Sequence, residues 1–170
     1  MTKTLQVSTI LMWITLGSML LLTNQTFGNS LENIKFKDLP LELAITKVIG
    51  NGQTEIAYFA DPNCKYCKIL EEETLPLLKN VKIHMFIYPI LGKNSEELAD
   101  AIWCSDNRLA AWSDYSSRNQ LLQNKEECES SVGKITEFGK KHGIHGTPTI
   151  FLDNGRHLVG TVSLAQLEEE

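Results

Sequence analysis

Cys64-Lys65-Tyr66-Cys67 is the segment of this 170-residue chain whose residue types and spacing point most directly to chemistry. Two cysteines with two residues between them follow an apolar run, Ile56-Ala57-Tyr58-Phe59-Ala60, and open a helix-like one. That placement puts a sulfur at a helix N-terminus, where backbone N–H groups and the helix dipole favour negative charge. The thiolate is the attacking species in disulfide exchange, and a second sulfur one turn later can close on the first. The expected chemistry is thiol–disulfide exchange.

The competing chemistry for the pair is half of a zinc site. Zinc commonly takes four ligands from two short-spaced pairs. Cys104 and Cys128 are too far apart in sequence to form such a second pair. His142 and His145 would have to complete the set, yet they stand just before a Gly146-Thr147-Pro148 turn that has its own explanation. Redox use of the pair is the stronger expectation, and no metal or organic cofactor is implied. Cys104 and Cys128 most simply form a structural bridge, whose closed loop of about 25 residues would contribute roughly 3–4 kcal/mol. Two free thiols are the alternative.

Thr147-Pro148 reads in two ways. The proline either starts a strand or is a cis proline packed beside the cysteines, leaving backbone groups of the preceding residue open to an extended peptide. Lys65 and Tyr66, between the cysteines, are candidates for tuning the Cys64 pKa through charge or aromatic contact; a solvated lysine and a packed tyrosine are the alternatives. Asp61 is expected to cap or turn the chain. His84 and His157 lie in strand-like runs as surface or core residues, and Trp103 and Trp112 as core.

The elements that must position these groups can be read in order. Asp38 and Pro40 suit the start of a helix carrying Leu41, Ala44, Ile45 and Val48, ended by Gly50-Asn51-Gly52. The strand to Ala60 and the turn Asp61-Pro62-Asn63 follow, then a helix from Cys64 toward Leu75, limited by Pro76. Val81 to Tyr88 is a second strand, stopped by Pro89. Asn94-Ser95-Glu96-Glu97 resembles a capping box for a helix through Trp103, and a mostly polar helical region extends to about His142. Thr149 to Leu152 and His157 to Val159 make a hairpin around Asp153-Asn154-Gly155-Arg156, and Ser163 caps a last helix. This order predicts an α/β fold with a mixed sheet covered by helices.

The first residues read as an export signal. Lys3 is the only charge before Glu32, Val7 to Leu22 is mostly apolar, and Thr26-Phe27-Gly28 offers small residues for cleavage after Gly28. An uncleaved anchor is the alternative, although the apolar run is short for a span of about 20 residues. Either way the remainder is expected outside the cytoplasm, where disulfides persist. The leader holds one of the 16 basic residues and none of the 21 acidic ones, leaving 15 against 21, a formal charge of −6. No basic run or basic–aromatic interleaving points to nucleic acid.

Phe59-Ala60-Asp61-Pro62-Asn63-Cys64-Lys65-Tyr66-Cys67-Lys68 resembles the active-site segment of periplasmic disulfide isomerases of the DsbC/DsbG type. The similarity continues through Ala101-Ile102-Trp103-Cys104, Cys128 and Gly146-Thr147-Pro148-Thr149, and Asp38-Leu39-Pro40-Leu41 to Gly52 is similar to their linker helix. The resemblance implies a thioredoxin-like fold over residues 54–170 with a helical insertion at about 93–142, a linker-like segment with a helix over 29–53 and a signal peptide over 1–28. It also implies Cys64 as nucleophile, Cys67 as resolving thiol, Thr147 and a cis Pro148 facing them, and Cys104–Cys128 as a structural bridge. Family members carry an N-terminal dimerisation domain before the linker helix. No room for one is found here between Gly28 and Leu31, so a monomer with weaker isomerase character is expected.

The function expected is isomerisation or reduction of wrong disulfides in exported proteins, with a membrane thiol carrier as reductant. Two rivals stand beside it: an oxidase that donates its disulfide, and a non-catalytic chaperone or metallochaperone using the same cysteines.

Overall fold

Five strands form one sheet: Ile45–Ile49 (β1), Thr54–Ala60 (β2), Val81–Ile87 (β3), Thr149–Leu152 (β4) and His157–Val159 (β5). Their order is β1-β3-β2-β4-β5 in the computed structural model, which describes residues 31, 34–120 and 128–169. The expected signal over residues 1–28 lies outside the described residues. β2 and β3 run parallel, with Phe59 opposite Phe86, while β1, β4 and β5 pair antiparallel to their neighbours. The two parallel strands are central and read as nearly continuous apolar runs because both faces are covered.

The helices are Lys65–Ile69 (α1), Lys93–Trp103 (α2), Arg108–Arg118 (α3), Val132–Lys141 (α4) and Leu164–Glu168 (α5). α1 continues through one π turn, Leu70–Thr74, and a 3-10 turn, Leu75–Leu77, with Pro76 at its start. The expected helical block between β3 and β4 is present as α2, α3 and α4. In α2 the buried residues Ser95, Ala99, Ile102 and Trp103 fall on one face at helical spacing. Cys104, at the end of α2, is bonded to Cys128, with 5.6 Å between their Cα atoms.

The core centres on Phe59 in β2. Its ring stacks on Phe86 at 4.5 Å and meets the edge of Tyr88 at 5.6 Å and of Phe151 at 6.0 Å. Tyr88 donates to the Ile144 carbonyl at 2.7 Å and passes against Gly139 of α4. A Cβ on residue 139 would lie 2.5 Å from the Tyr88 ring, which explains a glycine inside a helix.

Two expectations of the sequence need correction. The helix expected from Leu41 to Val48 is absent. Phe36–Asp38 and Leu41–Leu43 are 3-10 turns, and the chain then enters β1, where Ile45 pairs with Met85 and Ile49 with Val81. The run Ile45-Thr46-Lys47-Val48-Ile49 is rich in β-branched residues, and an open edge of β3 rewards an extended partner more than helical spacing rewards a short isolated helix. Asp38 accordingly closes its own turn by accepting from the Lys35 N–H at 3.1 Å, and Gly50-Asn51-Gly52 turns β1 into β2, with φ of 64° at both glycines. The capping box at Asn94-Ser95-Glu96-Glu97 is also not formed. The residue preceding α2 is Gly92, with no side-chain cap, and Ser95 is fully buried and committed elsewhere. The cap expected at Ser163 is present, reciprocated by Gln166.

Candidate active site

Sheet topology brings the cysteines and the proline together. β2 ends at Ala60 and leads through residues 61–64 into α1, while β4 runs antiparallel to it, with Phe59 opposite Thr149. The residues just before β4 therefore stand at the carboxyl end of β2. Open α/β sheets place reactive groups at that end. The Thr147–Pro148 bond is cis. The loop carrying it is anchored by Thr149 Oγ1 donating to the Gly146 carbonyl and by Gly160 N–H donating to the Pro148 carbonyl, both at 2.8 Å. This leaves the Thr147 carbonyl facing Cys64, whose Sγ–H donates to it at 3.2 Å.

Cys64 is the N-cap residue of α1, with extended backbone, and its sulfur accepts from the Cys67 N–H at 3.2 Å. Both cysteines are free thiols, 4% and 1% exposed, so the pair is recessed with Cys67 behind. The neighbouring Cys67 thiol does most to lower the Cys64 pKa, from 9.0 to about 6; burial opposes it, and the Thr147 side chain and the backbone N–H groups of Cys67 and Tyr66 add to the lowering. Cys67 moves the opposite way. Burial pushes its thiol well up, and the developing charge on Cys64 pushes it further. The two shifts run in opposite directions, so Cys64 gives up its proton well before Cys67 does; a thiolate beside a protonated thiol is what exchange chemistry requires.

Of the two tuning candidates, Tyr66 acts on Cys64 through its backbone N–H, while its side chain is 54% exposed; the Lys65 side chain is exposed as well. His142 packs on Phe138, with 4.4 Å between ring centres. Among the described residues no group of three or more His, Cys, Asp or Glu is placed to hold a metal ion.

Asp61 does more than turn the chain. Its Oδ1 accepts from the Asn63 N–H at 2.8 Å and the Ser95 hydroxyl at 2.7 Å; its Oδ2 accepts from the N–H groups of Ile90 and Leu91 at 2.7 and 2.9 Å. One buried carboxylate thus ties the loop before Cys64 to the loop after β3. No local motif announces this, because three of the four donors are about 30 residues away. Glu71 was equally unforeseen. It takes hydrogen bonds from Tyr58 and Trp112 on the inner side of the π turn that continues α1. Burial raises its pKa, and those hydrogen bonds and the charge of Lys47 partly offset the rise. Its position four residues after Cys67 was the available signal, since i and i+4 share a helix face.

A thioredoxin-like domain family matches residues 41–170. The chain belongs to the thioredoxin-like family. Within it, the chain is similar to thiol:disulfide interchange proteins of the DsbC type. The probable thiol:disulfide interchange protein DsbC of Bordetella pertussis is 36% identical over 138 residues, covering 81% of this chain and 49% of that protein. The Escherichia coli K12 DsbC is 25% identical over 117 residues, covering 67% of this chain and 49% of its own length. The chain spans about half the length of the curated relatives it matches. Among solved structures, the disulfide interchange protein from Neisseria gonorrhoeae superposes with a TM-score of 0.70 at 34% identity, covering 77% of this chain and 94% of that one. The catalytic domain of Proteus mirabilis ScsC follows with a TM-score of 0.56 at 25% identity, covering 74% of this chain and 85% of that one. In this thioredoxin-like chain the helical block α2–α4 is inserted between β3 and β4, as the resemblance implied.

Proposed function

We propose that the protein is a thiol–disulfide oxidoreductase that isomerises or reduces wrong disulfides in exported proteins. The observation that carries this reading is the Cys64 sulfur, held at the start of α1 by the Cys67 N–H with its pKa brought down to about 6, in front of a protonated Cys67. The Cys64 thiolate attacks one sulfur of a substrate disulfide. A Cys64–substrate bond forms, and the other substrate sulfur leaves as a thiolate. In isomerisation a substrate thiolate later displaces Cys64, with no net change in oxidation state. In reduction Cys67 loses its proton and attacks the Cys64 sulfur; the substrate departs with two electrons, and Cys64–Cys67 is left as a disulfide. A thiol reductant at the membrane would then restore the pair. The cis Pro148 loop, with Thr147 against Cys64, is the surface on which the substrate backbone would lie. The Cys104–Cys128 bond and the apolar leader support a periplasmic location.

One observation favours a second reading. Stabilising the Cys64 thiolate also stabilises the reduced pair, which makes the Cys64–Cys67 disulfide a better oxidant. Measurement of the pair's reduction potential against glutathione separates an oxidase from a reductant-driven isomerase.

The function is tested by trapping. Cys67→Ala, expressed with its leader, is expected to accumulate mixed disulfides with exported proteins, released by reductant and absent from the Cys64→Ser, Cys67→Ala double variant. Lack of any such adduct sinks the proposal.

A further inference from the structure

The hydrogen bonds converging on the turn before Cys64 run in one direction. The Ser95 hydroxyl has one proton, and it goes to Asp61 Oδ1 at 2.7 Å. Ser95 Oγ therefore accepts from Asn63 Nδ2, 2.9 Å away. This orients the Asn63 amide, with its nitrogen toward Ser95 and its oxygen toward Tyr115. The Tyr115 hydroxyl must then donate to Asn63 Oδ1, at 3.0 Å. The chain of donors thus runs from Tyr115 to Asn63 to Ser95 and terminates on the Asp61 carboxylate.

These partners come from the helical block between β3 and β4. Ser95 lies on α2 and Tyr115 on α3, 32 and 52 residues beyond Asn63. Tyr115 also holds the other side of the nucleophile. Lys68, one turn after Cys64, has its Nζ 5.2 Å from the centre of the Tyr115 ring and donates to Asn119 Oδ1 at the end of α3. One tyrosine thereby grips the residue before Cys64 by its hydroxyl and the turn after it by its ring. The turn itself has few restraints of its own: the Cys64 N–H reaches the Asp61 carbonyl at 3.0 Å, and the Asn63 N–H reaches the Asp61 side chain.

We infer that Ser95 and Tyr115 are positioning residues of the exchange reaction, acting through the Asn63 carboxamide to keep Cys64 seated as the cap of α1. This rests on the function proposed above and extends it: the inserted helices are part of the active-site machinery. The cap bond from Cys67 N–H to Cys64 Sγ depends on the extended backbone of Cys64, which the turn through Asn63 delivers to the start of α1. A substrate joined to Cys64 pulls on that backbone, and the Asn63 side chain, fixed at both ends, resists the pull.

The experiment is the pH profile of Cys64 alkylation by iodoacetamide in the full chain. The wild type is expected to show its midpoint near pH 6. Tyr115→Phe keeps the ring and its contact with Lys68 but removes the donor. It is expected to move the midpoint up by about half a unit and slow alkylation at pH 6 about twofold, with melting changed by no more than a few degrees. Asn63→Ala is expected to move the profile further in the same direction. Adding Tyr115→Phe to Asn63→Ala is expected to change nothing more, because the tyrosine acts only through the amide. Ser95→Ala provides an independent variant with the same expected sign. If these variants fold and their profiles coincide with the wild type, the network serves the fold alone and the inference is overturned. A wild-type midpoint near pH 9 instead defeats the functional reading itself, whatever the variants do.

Discussion

The Cys67 N–H donates to the Cys64 sulfur at 3.2 Å, so the second cysteine supports the first through its backbone. The relationship has two parts. The backbone N–H of Cys67 would survive any substitution there, whereas the thiol, the largest influence lowering the Cys64 pKa, would not.

Cys67→Ala is therefore expected to raise the Cys64 pKa from about 6 by roughly a unit, while leaving it below 9.0 because the N-cap bonds remain. Thiolate absorbance at 240 nm across pH 4–10 reads this directly. An unshifted midpoint would assign the acidity to the helix end alone.

The stability of the reduced protein should depend on pH with a definite sign. The Cys64 pKa is depressed on folding, so the thiolate contributes stability that is present above pH 9 and is lost as pH falls through about 6. Urea unfolding of the reduced wild type and of Cys64→Ser at pH 5, 7 and 9 measures it. The difference between them should grow with pH, and a constant difference would contradict the assignment.

Glu71 carries the opposite sign. Its pKa is raised by burial, so its contribution is favourable below about pH 4.5 and declines as pH rises. Glu71→Gln keeps an oxygen to accept from Tyr58 and Trp112 but carries no charge. It is expected to be more stable than the wild type at pH 7.5, on the order of 1 kcal/mol, with the advantage vanishing below pH 4. Thermal melts at the two pH values decide the matter.

Replacing both Cys104 and Cys128 by alanine opens a loop with a sequence separation of 24. A loss of about 3 kcal/mol is expected from the freed unfolded chain. The same drop should appear in the wild type on full reduction. Chemical denaturation under matched redox conditions checks both, and equal stability of the two forms would show that the bond restrains little.

Gly139→Ala tests the contact with Tyr88. A Cβ at 2.5 Å from the ring cannot be accommodated without moving α4 or the tyrosine, whose hydroxyl is tied to Ile144. A loss of about 1–3 kcal/mol is expected despite the higher helix propensity of alanine; a stabilised variant would refute the packing argument.

What could be read from the chain without its fold was local. Cys64 and Cys67 stand three positions apart along the sequence, and their place between an apolar run and a helix start already implied a sulfur activated at a helix N-terminus. The Asp153-Asn154-Gly155-Arg156 hairpin and the Ser163 cap were equally legible, because turn and cap chemistry is settled within four residues. Helical spacing misled over Ile45–Ile49 because a five-residue apolar pattern fits two periods, and only the open edge of β3 decides between them. Ser95 misled for a related reason. Its neighbours spell a capping box, but burial against Asp61 outbids a solvent-exposed cap for the same hydroxyl.

The sequence by itself determined that two cysteines stand one turn apart at a helix start and how the chain punctuates its strands. The tertiary structure alone decided what surrounds that sulfur: Thr147 brought against Cys64 by the antiparallel pairing of β4 with β2, Asp61 joined to Ile90 and Leu91, and Asn63 held between two helices. Those contacts depend on hydrogen bonds and burial between segments tens of residues apart, and no local preference encodes a partner at that distance.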